Sequence, residues 1–360
     1  MKAYCVETAA IRYNLDRLLT LAGKTPLWAV LKGNGYGLGV GPMAQLCWEA
    51  GIRRFAVTEI AEALEIRAQF AQAEILMLRP TTDPEELQQM LDLDVIATIS
   101  CSAEAAALNS LALQRGTVAE VHVKVDTGMG RYGFMPHETE KILSVYRHND
   151  NLAVTGIYTH FHSAFCNENS VFAQAETFKG VIAALEKAGV EPGAAHCCNS
   201  TAFLRWPELH MNGARIGSAL LGRVLVKADL RRVGRCEATV DEIRWLPTGH
   251  TTGYGAAWKA RRPTRIAVIP VGWYHGFAVT YGDDIFRVRD CIRAMIRAFL
   301  NILRRKKLYV RINGSLCPVL GHVGMLHTVC DVTNATCSVG DTAILDINPL
   351  LVRGMEIRFL

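Results

Sequence analysis

The chain has 360 residues, of which 50% are hydrophobic and 20% are charged, and its formal net charge is +5. This length and composition predict one large folded domain and a smaller second one. The mild positive charge does not by itself indicate a nucleic-acid-binding protein. The sequence contains no uninterrupted apolar run long enough to cross a bilayer.

The cysteines and the first residues of the chain indicate a compartment. There are 11 cysteines, an odd number, with neither a Cys-x-x-Cys pair nor the spacing of a zinc site. Such a pattern is typical of a reduced intracellular protein without a structural metal. Residues 1–8 lack the apolar segment of a signal peptide. We therefore expect a cytoplasmic chain.

Short apolar runs alternate with longer amphipathic runs over the first two thirds of the chain. The strand-like runs are 27–31, 54–57, 74–78, 95–99, 119–125, 153–158, 194–197 and 214–216. Helix-like stretches such as 60–73, 85–91, 103–114 and 172–188 lie between them. Alternation of this kind indicates a parallel sheet, and eight strands predict an α/β fold of the (β/α)8 TIM-barrel type. An open doubly wound sheet is the alternative.

The pattern changes after residue 220. Short β-like runs follow one another at 265–271, 308–312, 316–320, 327–332 and 342–345, separated by turn pairs such as Asn313-Gly314. This pattern predicts a smaller, mainly β C-terminal domain. We expect a barrel domain over 1–225 and a β-rich domain over 226–360, with about the first eight residues pairing with the second domain.

One segment interrupts the β pattern, at 289–307. Its apolar residues fall at helical spacing: Ile292, Met295, Ile296, Phe299, Leu300 and Leu303. Seven basic residues occupy much of the remainder: Arg289, Arg293, Arg297, Arg304, Arg305, Lys306 and Lys307. The segment is predicted to be a basic amphipathic helix. Such a helix either packs on its own domain or rests against an acidic membrane or a partner domain.

The first strand-like run, 27–31, leads directly into Lys32, which is followed by a glycine-rich segment. A lysine that closes a buried strand is desolvated, and such a lysine suits Schiff-base chemistry. A lysine that extends from the barrel mouth into water is the alternative. A dinucleotide-binding fingerprint is excluded, because the positions that require its last glycine hold Leu38 or Val40.

Polar side chains recur where the predicted strands end. They are Lys32, Lys124, Asp126, His160, His162, His196, Asn199, Ser200 and Arg215, the last followed by Gly217. The carboxyl ends of barrel strands meet at one mouth, where the active sites of such enzymes lie. Any one of these histidines alone is explained by packing, but their convergence favours a functional site.

Five segments resemble, in order, the motifs of the alanine racemase family of pyridoxal-phosphate enzymes of fold type III. They are Lys32-Gly33-Asn34-Gly35-Tyr36, the run 123–134, His196-Cys197-Cys198-Asn199-Ser200, Arg215-Ile216-Gly217-Ser218 and Gly253-Tyr254-Gly255. The resemblance implies pyridoxal 5′-phosphate as cofactor. It also implies two catalytic bases on opposite faces of the substrate, Lys32 and a Tyr254 that reaches across from the other subunit of a homodimer.

The resemblance implies further roles. The cofactor contacts would be Lys32, Tyr36, His160, Asn199, Ser200, Arg215, Gly217 and Ser218. The substrate contacts would be Arg131, Met325 and Asn348. Lys124, often carbamylated in the family, would orient Arg131, and His196 would support Arg215.

Some segments depart from the family pattern. They include Gly272-Trp273-Tyr274-His275-Gly276, the sequence Gly324-Met325-Leu326, and Asn348 in place of an expected tyrosine. With the basic insertion, this pattern is similar to the serine/alanine racemase domain of vancomycin-resistance membrane proteins, which carry an N-terminal membrane domain not present in this chain. The resemblance implies racemisation of serine and alanine for peptidoglycan precursors, in the cytosolic part of a membrane-anchored protein.

Two alternatives remain at this point. One is a plain alanine racemase. The other, more remote, is a non-catalytic pyridoxal-phosphate-binding protein of the same barrel type, against which Tyr254 and the second domain argue. Fold type III decarboxylases rank lower, because they would need a catalytic cysteine and a longer chain.

Overall fold

The computed structural model describes residues 1–280, 288–303 and 307–360. They form two compact units, of which one is Thr8–Val233 and the other combines Met1–Glu7 with Gly234–Leu360. The chain therefore passes between the units twice, at Glu7–Thr8 and at Val233–Gly234. The division in the structure lies slightly after the 225/226 boundary expected from the sequence.

The first strand, β1, spans Lys2–Val6 and belongs to the second unit. The next eight strands belong to the first unit: β2 Leu27–Val30, β3 Arg54–Val57, β4 Glu74–Met77, β5 Ala97–Ile99, β6 Ala119–Lys124, β7 Leu152–Tyr158, β8 Ala194–His196 and β9 Ala214–Ile216. They pair in parallel in the orders β4-β3-β2-β9 and β5-β6-β7-β8. Parallel bridges at Leu76–Ile96 and Cys198–Ala214 join the two sheets into a ring. The predicted (β/α)8 barrel is thereby confirmed.

Helices alternate with these strands. They are α1 Thr8–Ala22, α2 Lys32–Tyr36, α3 Val40–Glu49, α4 Ile60–Gln69, α5 Pro84–Asp92, α6 Ser102–Gln114, α7 Thr139–Arg147, α8 Glu168–Lys187 and α9 Ser200–Arg205. All four residues of β2 are buried, as are Phe55 and Ile157 in neighbouring strands. Burial on both faces explains why the barrel strands read as continuous apolar runs rather than as alternating ones.

The second unit is built mainly from antiparallel strands. They are β10 Gly234–Thr239, β11 Glu242–Leu246, β12 Thr251–Thr252, β13 Trp258–Lys259, β14 Thr264–Ile269, β15 Tyr309–Ile312, β16 Ser315–Pro318, β17 Thr328–Asp331, β18 Thr342–Leu345 and β19 Glu356–Phe359. The largest sheet among the described residues has the order β16-β15-β18-β10-β1-β19. In it β1 pairs antiparallel with β10 and parallel with β19.

The expected basic helix is α10, Val288–Leu303, whereas Arg304, Arg305 and Lys306 lie outside the described residues. None of the residues of α10 is buried. Within the described parts of the chain, no helix is both long enough and apolar enough to span a bilayer.

Candidate active site

The carboxyl ends of the barrel strands surround a cavity of about 430 Å³. Ten of the residues singled out in the sequence line it: Lys32, Tyr36, Lys124, Arg131, His160, Asn199, Ser200, Arg215, Gly217 and Ser218. His196 is fully buried and contacts Arg215, so it lies behind the lining. The structure therefore gathers the barrel residues of the predicted site in one cavity.

Lys32 follows β2 directly and begins a tight loop, α2, whose backbone is left-handed. Gly33, Asn34, Gly35 and Tyr36 all have φ between 55° and 64°. Two glycines in this run relieve the steric cost that other residues pay in this conformation. Burial, followed by the positive charge of Arg131, lowers the pKa of Lys32. A lysine with a lowered pKa offers a neutral amine, the form that acts as nucleophile or base.

A buried carboxylate, that of Glu62 in α4, holds the lysine loop in place. Its two oxygens accept hydrogen bonds from the backbone N–H groups of Asn34, Thr58 and Glu59, at 2.9, 3.0 and 3.2 Å. No motif of the sequence indicated this role of Glu62. Glu59 and Glu62 at the start of α4 form a capping box, and that spacing is recognisable in the sequence. It predicts the start of a helix, but it does not predict that Glu62 also binds the lysine loop.

One end of the cavity is rich in hydrogen-bond donors. The Ser200 hydroxyl oxygen accepts from the backbone N–H of Gly217 at 2.9 Å and from that of Ala219 at 3.3 Å. Burial raises the pKa of Tyr36 to about 12, so this side chain remains a neutral phenol that can donate. A Cβ added at Gly217 would lie 2.2 Å from the Tyr36 hydroxyl oxygen. Because glycine has no Cβ, it leaves the space that the Tyr36 phenol occupies.

Asn199 fixes the turn that carries Ser200 to this end. Its side-chain oxygen accepts from the N–H groups of Thr201 and Ala202, both at 3.1 Å, and so caps α9. Its amide nitrogen donates to the carbonyl of Phe161 at 3.2 Å. Asn199 thus ties the start of α9 to the segment after β7.

Arg215 is buried, lines the barrel cavity and lies at the centre of a polar network of side chains and carbonyl groups. One terminal nitrogen lies 2.5 Å from His196 Nδ1, and the other donates to the Thr159 carbonyl at 2.6 Å and lies 3.5 Å from His160 Nδ1. The guanidinium also stands over the Tyr158 ring, 4.9 Å from its centroid. Burial and then the charge of Arg215 hold the pKa values of His160 and His196 well below the ordinary range.

The network extends one residue further than the sequence analysis expected. His196 Nε2 lies 3.0 Å from Nδ1 of His122, which is also buried. Burial lowers the pKa of His122 to about 3, so this ring is neutral. The available signal was its position on β6, two residues before Lys124 and therefore on the same strand face.

Lys124 is 4% exposed and lies beside aromatic rings, 5.3 Å from the centroid of Tyr132 and 5.5 Å from that of Tyr158. Burial, and then the positive charges of Arg131 and Arg215, lower its pKa to about 7. The loop that carries Arg131 is ordered by Asp126, whose carboxylate accepts from the N–H groups of Gly128, Met129 and Arg131. Burial alone would raise the pKa of Asp126, but these hydrogen bonds lower it overall.

The second unit has its own cavity, of about 580 Å³, lined in part by Tyr254 and Met325. The Tyr254 side chain is 79% exposed. The carbonyl groups of Gly324 and Met325 accept from the N–H groups of Trp273 and Tyr274, which orders this rim. Two residues expected from the sequence at the site, one as a base and one as a substrate contact, therefore share one surface.

Asn348 is engaged locally. Its side-chain oxygen accepts from the Leu350 N–H at 3.2 Å and caps the short helix Pro349–Leu351. It does not line the cavity that contains Tyr254 and Met325, as far as the described residues define it.

Family models match both units. The model described as "Alanine racemase, N-terminal domain" matches residues 6–224, and that described as "Alanine racemase, C-terminal domain" matches residues 233–349. The chain belongs to the alanine racemase family. The enzymes of this family are racemases that use pyridoxal 5′-phosphate, so this chain is a pyridoxal-phosphate-dependent amino-acid racemase by family.

Individual relatives agree with this assignment. Alanine racemase 1 of Oceanobacillus iheyensis is 29% identical over 350 residues, which cover 95% of this chain and 87% of that protein. The alanine racemase of Symbiobacterium thermophilum is 30% identical over 347 residues, or 94% and 86% of the two chains. The crystal structure of an alanine racemase from Streptomyces lavendulae superposes with a TM-score of 0.85 at 24% identity, covering 100% of this chain and 97% of that one, which shows the shared fold.

The barrel cavity suits this cofactor chemically. Neutral donors at one end match a phosphate, which accepts hydrogen bonds: they are the Tyr36 phenol and the Ser200 hydroxyl, whose oxygen already accepts from the N–H of Gly217. The absent Cβ of Gly217 leaves room there for the phenol. Lys32 provides an amine that can react with an aldehyde, and Arg215 a permanently charged donor for a ring nitrogen. The residues present therefore fit pyridoxal 5′-phosphate.

Proposed function

We propose that this chain is an alanine racemase that interconverts L- and D-alanine, with Lys32 and Tyr254 as its two bases. The observation that carries the proposal is the barrel cavity, in which Lys32, with its lowered pKa, lies with Arg215, Arg131 and the Ser200–Gly217 end. The names of the relatives support alanine as the substrate.

The bound cofactor supplies an electron sink that acidifies the α-carbon hydrogen of the amino acid. Lys32 takes or returns the proton on one face of that carbon, and Tyr254 of the partner subunit does so on the other. Arg131 binds the substrate carboxylate as a charge-assisted pair. Arg215 would hold the pyridine nitrogen of the cofactor by donating to it without protonating it, since a guanidinium keeps its own proton. A ring nitrogen left unprotonated by Arg215 would make the cofactor a weaker electron sink.

The exposed position of Tyr254 supports a shared active site. A tyrosine that is 79% exposed, on the rim of a cavity of the second unit, is available to a neighbouring subunit. A two-fold homodimer would place the same contact at both sites. Tyr36, His160, Asn199, Ser200, Gly217 and Ser218 then contact the cofactor, Met325 contacts the substrate, and Lys124 and His196 orient the two arginines.

Serine was the first substrate expected from the sequence, together with alanine, and the relatives favour the alternative. The argument for serine rested on Asn348 as a partner for a hydroxymethyl group. Its side-chain oxygen is already bound to the Leu350 N–H, which weakens that argument. We therefore propose serine only as a second, slower substrate. The part in vancomycin resistance and peptidoglycan supply, and the N-terminal membrane domain, stay predictions.

The proposal is tested with the purified chain loaded with cofactor. We expect L-alanine to be converted into D-alanine, with exchange of its α-hydrogen for deuterium in deuterated water. L-serine should react with a kcat/KM on the order of 10²-fold lower, the discrimination that one added hydroxyl group usually allows. If cofactor binds and no α-hydrogen exchanges, the chain is a carrier rather than a racemase. If serine reacts as fast as alanine, the substrate assignment is wrong.

Lys32 is tested separately. Borohydride reduction should attach the cofactor to the peptide that contains Lys32, as read by mass spectrometry. Lys32→Ala should remove both this adduct and the visible absorbance of the bound cofactor. The matched control is Lys179→Ala, because Lys179 is an exposed lysine of α8 that pairs with Glu176 at 2.8 Å. An adduct on another lysine would contradict the assignment.

A further inference from the structure

Helix α10 exposes its apolar face, whereas a helix that packs on its own domain would bury it. Its large apolar side chains are exposed, and Met295, Ile302 and Val288 are 71%, 74% and 75% accessible. Amphipathic helices of globular proteins bury the apolar stripe and leave the polar one in water. In α10 the part-buried residues are Asp290, Ala294 and Asn301, which follow each other at intervals of four and seven.

The spacing places the two stripes on opposite sides. Residues three, four or seven positions apart share one side of a helix. Asp290, Ala294 and Asn301 therefore form one narrow stripe, and it is the less exposed stripe of the helix. The apolar stripe on the other side comprises Val288, Ile292, Met295, Ile296, Phe299 and Leu303. The helix thus presents to the outside a continuous apolar face about four turns long.

The charges of the helix indicate what covers this face. Arg289, Arg293 and Arg297 are spaced by four residues and lie along one border of the apolar stripe, whereas Asp290, on the part-buried stripe, is the acidic residue of the helix. Residues 288–307 together contain seven basic residues and one acidic residue. Arginines at the border of an apolar face can place their stems in an apolar phase and their charges at an anionic boundary.

The length of the helix excludes a membrane-spanning role. Its 16 residues measure about 24 Å at about 1.5 Å per residue, which is shorter than a hydrocarbon core of roughly 30 Å. Three arginines within this length would also be costly at the centre of a bilayer. An orientation parallel to the surface satisfies both the apolar side and the basic border.

We propose that α10 lies flat in the surface of a lipid bilayer that contains anionic lipids and so attaches the enzyme to it reversibly. The apolar face enters the boundary between headgroups and acyl chains, and the arginines pair with anionic headgroups.

The test is co-sedimentation of the full chain with vesicles. We expect binding to vesicles of equal parts phosphatidylglycerol and phosphatidylcholine, and at least tenfold weaker binding to phosphatidylcholine alone. High salt should weaken the former. Arg289→Gln with Arg293→Gln should reduce binding on the order of 10-fold or more, because each basic residue near an anionic surface contributes about fivefold. Ile292→Ser with Phe299→Ser should abolish it.

Ala294→Ser is the matched control, since it adds the same polar group to the opposite stripe and should leave vesicle binding unchanged. Far-UV circular dichroism and alanine racemisation establish that each variant is folded. Absence of binding to anionic vesicles by the folded wild type overturns the proposal, as does binding that the Ile292/Phe299 variant retains. If that variant instead reduces the oligomer size measured by sedimentation velocity, the face covers a second copy of the chain and the lipid assignment is wrong.

Discussion

One nitrogen of the Arg215 guanidinium lies 2.5 Å from His196 Nδ1, and this contact fixes the protonation of two buried histidines. A guanidinium only donates hydrogen bonds, so His196 Nδ1 has to accept. The proton of the neutral ring is then on Nε2, which donates to His122 Nδ1 at 3.0 Å. Each group in the chain therefore determines the tautomer of the next, and Arg215 is held by rings that cannot become charged without repelling it.

His122 is consequently predicted to position Arg215 although it does not line the cavity. His122→Leu leaves the buried His196 N–H without its acceptor and should lower the free energy of unfolding by about 1–3 kcal/mol. His122→Asn should recover most of this loss, because its side-chain oxygen can take the place of Nδ1. Urea unfolding measures the first effect. Nitrogen NMR of the His196 ring reports on its Nε2–H, whose resonance should shift in the Leu variant, where this group loses its acceptor, and should stay near the wild-type position in the Asn variant.

A purely packing role of His122 would give a different result. Both variants would then be destabilised according to the volume lost, and the His196 Nε2 resonance would be the same in each.

Gly217 is predicted to determine cofactor affinity through the space that it leaves for Tyr36. In Gly217→Ala the new methyl group would lie 2.2 Å from the phenol oxygen, so Tyr36 has to move. We expect the dissociation constant of pyridoxal 5′-phosphate to rise by roughly 10-fold or more, corresponding to about 1.4 kcal/mol, as measured by fluorescence titration. Gly180→Ala in α8 is the control, since nothing lies within 4 Å of the Cβ it would add. If both variants bind pyridoxal 5′-phosphate with equal affinity, Gly217 does not determine cofactor affinity.

Lys124 is predicted to make stability depend on pH in a defined window. Its pKa is about 7 in the folded chain, and that of an unfolded lysine is about 10.4. Between these values the unfolded chain binds the proton and the folded chain does not, so the free energy of unfolding rises with pH. In buffer free of carbon dioxide, the wild type should gain up to about 1.4 kcal/mol per pH unit relative to Lys124→Met.

Bicarbonate provides the complementary experiment on the same lysine. A carbamate forms from a neutral amine, and a pKa near 7 makes that form abundant at neutral pH. Labelled bicarbonate should give a carbamate carbon signal in the NMR spectrum of the wild type. The signal should disappear in Lys124→Met and remain in Lys179→Met. A wild type without the signal would leave Lys124 as an unmodified amine beside Arg131.

Tyr254→Phe is predicted to impair the two directions of racemisation unequally. Loss of a general base typically costs about 10²–10⁴-fold, and here it should fall on the proton removal from one enantiomer. Deuterium exchange at the α-carbon of L- and D-alanine, measured separately, gives the two rates. Tyr309→Phe, in an exposed strand position, is the control. Equal and full rates in both directions would exclude Tyr254 as a base.

The sequence predicted the barrel well because its signals are local. Most of the eight barrel strands are short, mainly apolar runs, and the periodicity changes between strand and helix. The site residues could be predicted for the same reason, since Lys32 and Arg215 lie at or near strand ends, which a barrel brings together. The motifs of the family added the order in which they occur.

Contacts between distant segments could not be predicted in this way. Glu62 reaches the lysine loop only because α4 lies beside it, and His122 reaches His196 only because β6 and β8 flank β7. The bond of Asn348 to Leu350 is local, but it depends on a short helix that the sequence pattern did not indicate. The orientation of α10 could not be read from its periodicity either, because a helical pattern identifies an apolar stripe without saying which side faces the protein.

The position of β1 has a consequence for how the protein is made. The first strand of the chain lies between β10 and β19, at residues 234–239 and 356–359. During synthesis β1 precedes the barrel and both of its partner strands follow the barrel, so β1 must wait while the barrel can already form from its own local contacts. The largest sheet of the second unit can therefore be completed only after residues 356–359 have left the ribosome, later than the strands of the barrel.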